Sequence, residues 1–331
     1  MPETPFIVTV DTEGDNLWAK PRDITVRNAA CLPRFQLLCE RFRLKPVYLA
    51  NHEMANCDAF VEFGRDVIRR GAGEIGMHLH AWNSPPLEAL TGDDYFHQPF
   101  LIEYPDRVMK DKIRAMTALL EDRFERKMVS HRAGRWAFDG RYAAMLLDEG
   151  YLVDCSVTPG VDWRATPGDP AGNGGSDYTS FPDCPYLLNP RDISMPSSTG
   201  LLEVPMTVLP SKLLRASPWI YQAPGLRRIA RKISPARRWL CPAALLESNH
   251  LGALLQLAGQ ARVERPPHME FMVHSSELMP GGSPSFRSAL DIDRLYASLE
   301  MLMEGLSTWC RGMTLAEFHD HWVGERQVLA A

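Results

Sequence analysis

Phe6-Ile7-Val8-Thr9-Val10 leads directly into Asp11-Thr12-Glu13-Gly14-Asp15, and this junction of an apolar run with an acidic loop sets the pattern for the whole chain. The first five residues are β-branched or aromatic and read as a buried strand. Three carboxylates then fall within five residues. They repel one another unless a cation or an arginine sits among them. A solvated acidic turn, capped by Asp, is the competing reading.

The same junction recurs downstream. Further strand candidates are Pro46 to Ala50, Glu74 to Met77, Lys127 to Ser130, Tyr151 to Val153, Leu201 to Val204 and Met269 to Val273. His78, His131-Arg132, Asp154 and His274 each follow one of them. Helical periodicity is expected over Leu32 to Phe42, Ala59 to Arg70, Asp106 to Arg126 and Gly140 to Glu149, and from about Asp293 to Cys310. About seven strands alternating with helices fit either a doubly wound sheet or a (β/α) barrel. Polar residues gathered at the strand ends favour the barrel, whose chemistry collects on its C-terminal rim. Arg164 to Gly200, rich in Pro, Gly, Ser and Asp, reads as a long loop over one face.

A chain of 331 residues with a formal charge of −5 gives no reason to expect nucleic acid as a partner. Its seven cysteines form no C-x-x-C pair, which points to a reducing compartment rather than a disulfide or zinc-ribbon framework. No basic-then-apolar leader and no apolar run of about 18 residues occurs, so a cytoplasmic protein is expected. Between Glu203 and Glu247 no acidic residue appears, while Lys212, Arg215, Arg227, Arg228, Arg231, Lys232, Arg237 and Arg238 alternate with Trp219, Tyr221 and Trp239. Three readings stand for Lys212 to Trp239: a solvated helical face, a peripheral membrane contact, or a site for a pyrophosphate-linked sugar carrier.

His78 and His80, at i and i+2 in extended backbone, project to one side and suit a single metal ion; hydrogen-bonded core histidines are the plainer alternative. In His131-Arg132-Ala133-Gly134-Arg135-Trp136 an Arg would keep a nearby carboxylate ionised. Arg135 would do the same or bind substrate, unless the two are surface arginines. Asp154 would orient a His or cap a turn. His274, just after a strongly apolar strand, is placed to act as a general acid. No G-x-S-x-G elbow, H-E-x-x-H, P-loop or G-x-G-x-x-G is present.

In their order, these segments resemble the polysaccharide deacetylase family, the family 4 carbohydrate esterases. The likeness extends to the subgroup associated with lipopolysaccharide and capsule biosynthesis. The resemblance implies a single α/β domain over residues 1–331, a distorted (β/α) barrel of about seven parallel strands, with a long loop and a basic helical insertion near 211–250. It also implies a divalent metal, usually zinc. Asp11 matches the family's general base and Arg132 its tether; His274 matches the general acid. The family's second acidic residue is Thr12 here, which passes the ligand role to Glu13, with Asp15 as the alternative. Glu74-Ile75-Gly76-Met77-His78 fits the second motif, but Trp82 stands where a second His is usual, and His80 is taken as its substitute. Asp154, with Arg135, Trp136 and Trp82, is expected to line the substrate site, and Trp163 is a further aromatic for stacking on a sugar.

The implied activity is removal of an N-acyl group, acetyl first among them, from an amino sugar, in a glycan or on a lipid- or nucleotide-linked saccharide. Two rivals stand beside it. A glycoside hydrolase on a related barrel would use two carboxylates and no metal. A catalytically inactive saccharide-binding protein would explain Thr12 and Trp82.

Overall fold

Alternation along the first strand decides which residues meet which layer. β1 (Thr4–Thr12) is buried throughout, so both of its faces are covered. Phe6, Val8 and Val10 enter the large apolar cluster under the outer helices, whereas Ile7 joins a smaller one with Val47, Leu49, Val153 and Leu202. That smaller cluster fills the inside of the curled sheet. Thr9 and Asp11, in step with Ile7, therefore point inward. The computed structural model describes residues 3–210, 237–239, 241–242, 259 and 266–330.

Parallel strands run in the order β11 (Met269–His274), β1, β2 (Val47–Ala50), β3 (Glu74–Leu79), β4 (Ser130–Ala133), β5 (Val153–Asp154) and β8 (Leu202–Glu203). These correspond to the seven expected runs. The run read as Lys127 to Ser130 lies later in the chain. Glu125, in the left-handed region at φ 53°, ends the preceding helix, and pairing begins only at Ser130.

Further elements go beyond the expected ones. The segment read as one long loop contains an antiparallel hairpin, β6 (Tyr186–Asn189) and β7 (Asp192–Pro196), which extends the sheet beyond β8. Buried Tyr186 and Leu188 anchor it. β12 (Cys310–Gly312) pairs with the start of β1.

Helices Leu32–Arg41, Asp58–Arg69, Asp106–Phe124 and Gly140–Asp148 cover the outside. The late helix expected from Asp293 starts earlier, at Ala289, because Ser288 caps it and Asp291 answers in a reciprocal capping box. It ends at Ser307, leaving Cys310 to β12. The last helix, Leu315–Ala330, plugs the bottom of the barrel with Leu315 and Phe318. Among the described residues, no helix is long and apolar enough to cross a membrane.

Closure is incomplete. Among the described residues, no ladder joins β8 to β11, and side chains bridge the seam instead. Thr207 Oγ1 accepts from the Glu270 amide at 2.8 Å, and His268 Nε2 donates to the Pro205 carbonyl at 2.7 Å. Past β8 the chain forms β9 (Val208–Pro210), paired antiparallel with β10 (Arg237–Trp239). The expected insertion at 211–250 and the basic stretch Lys212 to Trp239 otherwise lie outside the described residues, apart from Cys241 and Pro242.

Candidate active site

Strand register assembles the site. Asp11 pairs with His274 across β1 and β11, and His78 pairs with Arg132 across β3 and β4. Because these strands are parallel, all four residues reach the same rim.

Arg132 crosses the interior just below that rim and is fully buried. Its Nη1 donates to Asp11 Oδ1 at 2.5 Å, and its Nη2 to Thr9 Oγ1 at 2.8 Å and to the Glu270 carboxylate. Nε reaches the Cys155 carbonyl at 3.2 Å. Burial by itself would raise the Asp11 pKa. The guanidinium, with His78 and His274, more than offsets this and holds the carboxyl below its usual value. Glu270 lies deeper, where burial outweighs the pull of Arg132 and pushes its pKa up to about 7.

Glu13, His78 and His80 converge beside Asp11, each buried, with one donor atom apiece within 4.8 Å of the others. The His78 Nδ1 faces the Arg132 carbonyl at 3.0 Å, which can only accept, so Nδ1 carries the proton. Its Nε2 lone pair then looks at Glu13 Oε2 across 3.6 Å and at Asp11 Oδ2 across 4.0 Å. His80 Nε2 stands 3.0 Å from the same Glu13 oxygen. Its Nδ1 is buried without a partner, so no hydrogen bond there fixes its tautomer.

Glu13 pairs with no Lys or Arg among the described residues, and a buried carboxylate facing two imidazoles requires either extra protons or a cation between them. Burial raises its pKa, but the neighbouring imidazoles of His78, His80 and His274 hold it well below the carboxylate range. One carboxylate and two imidazoles, one oriented by a carbonyl behind it, fit a divalent first-row metal. Gly134 makes room for this group, since a Cβ there would lie 2.5 Å from the Leu79 carbonyl and 2.9 Å from His80 Nδ1.

On the opposite wall, His274 Nε2 lies 3.9 Å from Asp11 Oδ2. Its Nδ1 meets Glu277 Oε2 at 3.1 Å, and that oxygen also accepts from the His274 amide at 2.9 Å. Burial would lower the imidazole pKa. Glu277, Glu13 and Asp11 override it and raise it to about 9. Trp18 packs edge-on against this ring, with centroids 4.9 Å apart.

The pocket over these groups encloses about 360 Å³, the scale of a small-molecule site. Trp18, Trp82, Trp136 and Trp163 wall it, with Arg135 on its lip. Arg135 and Trp136 are consecutive non-glycine residues in the left-handed region, at φ 56° and 63°. Each costs on the order of 1–3 kcal/mol, strain of the kind that collects where side chains must be aimed.

Two expected site residues belong elsewhere. Asp154 is not in the pocket. Alternation on β5 turns Val153 and Cys155 inward and Asp154 outward, where it is fully buried and bonded to His131 and Ser156. Asp15 is not a ligand either, because Thr25, Arg27 and Asn28 occupy both its oxygens and pin the loop after β1. Conversely, Glu270, Glu277 and Trp18 carry weight in the site and were not singled out. Glu270 had a signal, since a carboxylate amid a buried apolar strand needs a partner.

No family model matches the chain, and no curated protein matches it either. Solved structures do. A candidate polysaccharide deacetylase from Mycobacterium smegmatis superposes with a TM-score of 0.55 at 14% identity, over 98% of this chain and 92% of that one. A candidate glycoside hydrolase/deacetylase from Parabacteroides distasonis gives a TM-score of 0.56 at 10% identity, over 97% and 71% of the two chains. PuuE allantoinase gives 0.52 at 13% identity, over 96% and 89%. At such identities the likeness establishes a shared fold, the distorted (β/α) barrel.

Proposed function

We propose that this chain is a metal-dependent amide hydrolase that removes an N-acyl group, with acetyl as the first to test, from an amino sugar. One observation carries the reading. A Glu13–His78–His80 donor set opens into the same pocket as a carboxylate held ionised and an imidazole held protonated. A divalent cation bound there, zinc by the chemistry of the donors, supplies Lewis acidity toward the amide carbonyl and acidifies a neighbouring water.

The chain's own residues do the rest. Asp11 accepts a proton from the attacking water, and Arg132 keeps it ionised and fixes its free oxygen toward the pocket. His274 gives its Nε2 proton to the departing amine, with Glu277 holding the ring from behind. Tryptophan walls cover the faces of a sugar ring and shed water from it. The glycoside hydrolase alternative asks for two carboxyl groups free to face the substrate. Here the acids lining the pocket are Asp11, with one oxygen free, and Glu13, which faces two histidines.

The test is release of free amine from N-acetylglucosamine oligosaccharides by the purified protein. Turnover should vanish on chelation and return with one equivalent of zinc. A protein that binds the metal stoichiometrically and cleaves no amide would sink the proposal.

A further inference from the structure

Several arginines on the surface of this protein have carboxylate partners, among them Arg107 with Glu88, Arg141 with Asp106 and Arg164 with Asp162. Arg135, half-buried at the pocket lip, has none among the described residues. Its Nη1 donates to the Gln98 carbonyl, its Nη2 donates to the Pro167 carbonyl at 2.7 Å, and its guanidinium lies 4.2 Å from the centre of the Phe100 ring. These contacts fix the plane of the group and use two of its five N–H donors, but they supply no countercharge. The nearest acid in effect is Glu103. It forms no ion pair with Arg135, and its Oε2 accepts from the amides of Phe100 at 2.7 Å and Asp169 at 3.0 Å. Burial draws the Arg135 pKa down to about 10, and Glu103 offsets this only in part. No other Lys or Arg is among the residues lining the pocket.

A desolvated, immobilised guanidinium facing a ligand cavity without a counterion is a site waiting for an oxyanion. We infer that Arg135 recognises a carboxylate or phosphate group on the substrate, which makes that substrate an acidic N-acyl amino sugar rather than a neutral one. The substrate class rests on the proposed deacylation; the oxyanion contact itself does not.

Calorimetry on chelator-treated protein tests the contact without recourse to turnover. Three probes are compared: N-acetylglucosamine, its 1-phosphate and its 6-carboxylate. One of the two acidic probes should bind about tenfold or more tightly than the neutral sugar, and which one does so identifies the anion. Arg135→Gln should erase the preference, and Arg135→Lys, which keeps the charge but not the fork, should retain part of it. Melting curves of both variants show that each is folded. Equal binding of all three probes by the wild type overturns the inference, as does a preference that survives in Arg135→Gln. The same probes given to the zinc-loaded enzyme separate the two proposals. Preferential binding without amide cleavage would remove the deacylase and leave Arg135 its role.

Discussion

β4 carries two buried polar side chains next to each other, His131 and Arg132, and they face opposite layers. Outward, His131 donates from Nδ1 to Asp154 at 2.6 Å and accepts the Tyr142 hydroxyl at Nε2, 2.7 Å away. Asp154 in turn accepts from both the amide and the hydroxyl of Ser156 at 2.9 Å. That network reaches Tyr142 and so holds the helix Gly140–Asp148 to the sheet. Inward, Arg132 saturates Asp11 on one oxygen only. The other looks at His78 and His274 from 4.0 and 3.9 Å, too far for a hydrogen bond. Similar residue types thus build a brace on one face and line an open pocket on the other. The difference is whether a carboxylate oxygen faces the pocket, as the second oxygen of Asp11 does.

The inner face breaks hardest. Asp11→Asn should lower kcat/KM by roughly 10³-fold or more while one equivalent of metal stays bound, measured by amine release alongside metal analysis. On the outer face, Asp154→Ala should cost about 1–3 kcal/mol in urea unfolding and leave the rate per folded molecule nearly unchanged. A stable Asp154→Ala protein without activity would erase the distinction between the two faces.

The proton inventory sharpens it further. His274, raised to about 9, is charged below that pH and neutral above it. In metal-free protein its contribution to stability is complete below its ordinary 6.5 and disappears as pH rises through 9. Glu277→Gln removes the first of the groups holding the pKa up. The alkaline limb of both stability and activity should then move down by about one pH unit. Asp15→Asn should do least, with metal content unchanged and a loss of about 1 kcal/mol from the loop it pins.

Much of this was legible from residue order. Short apolar runs ending in Asp11, His78, Arg132 and His274 marked parallel strands and their shared C-terminal rim, because such strands are buried on both faces and read as unbroken apolar segments. The same property hid Asp154. Where both faces are apolar, alternation says which residues share a side but not which side faces the pocket. Glu277 sits three residues past His274, and its value appears only once the chain turns back after β11. Hairpin Tyr186 to Pro196 was masked by turn-rich flanks, since its pairing with β8 is a contact that local composition does not encode.

The seam between β8 and β11 carries one more lesson. β8 ends at Glu203 and β11 begins at Met269, and among the described residues Thr207 and His268, rather than main-chain pairing, stitch the junction between them. Sequence can lengthen or shorten there without shifting the register of any neighbouring strand. A change of chain length at that point therefore leaves Asp11, His78, Arg132 and His274 aligned on their rim.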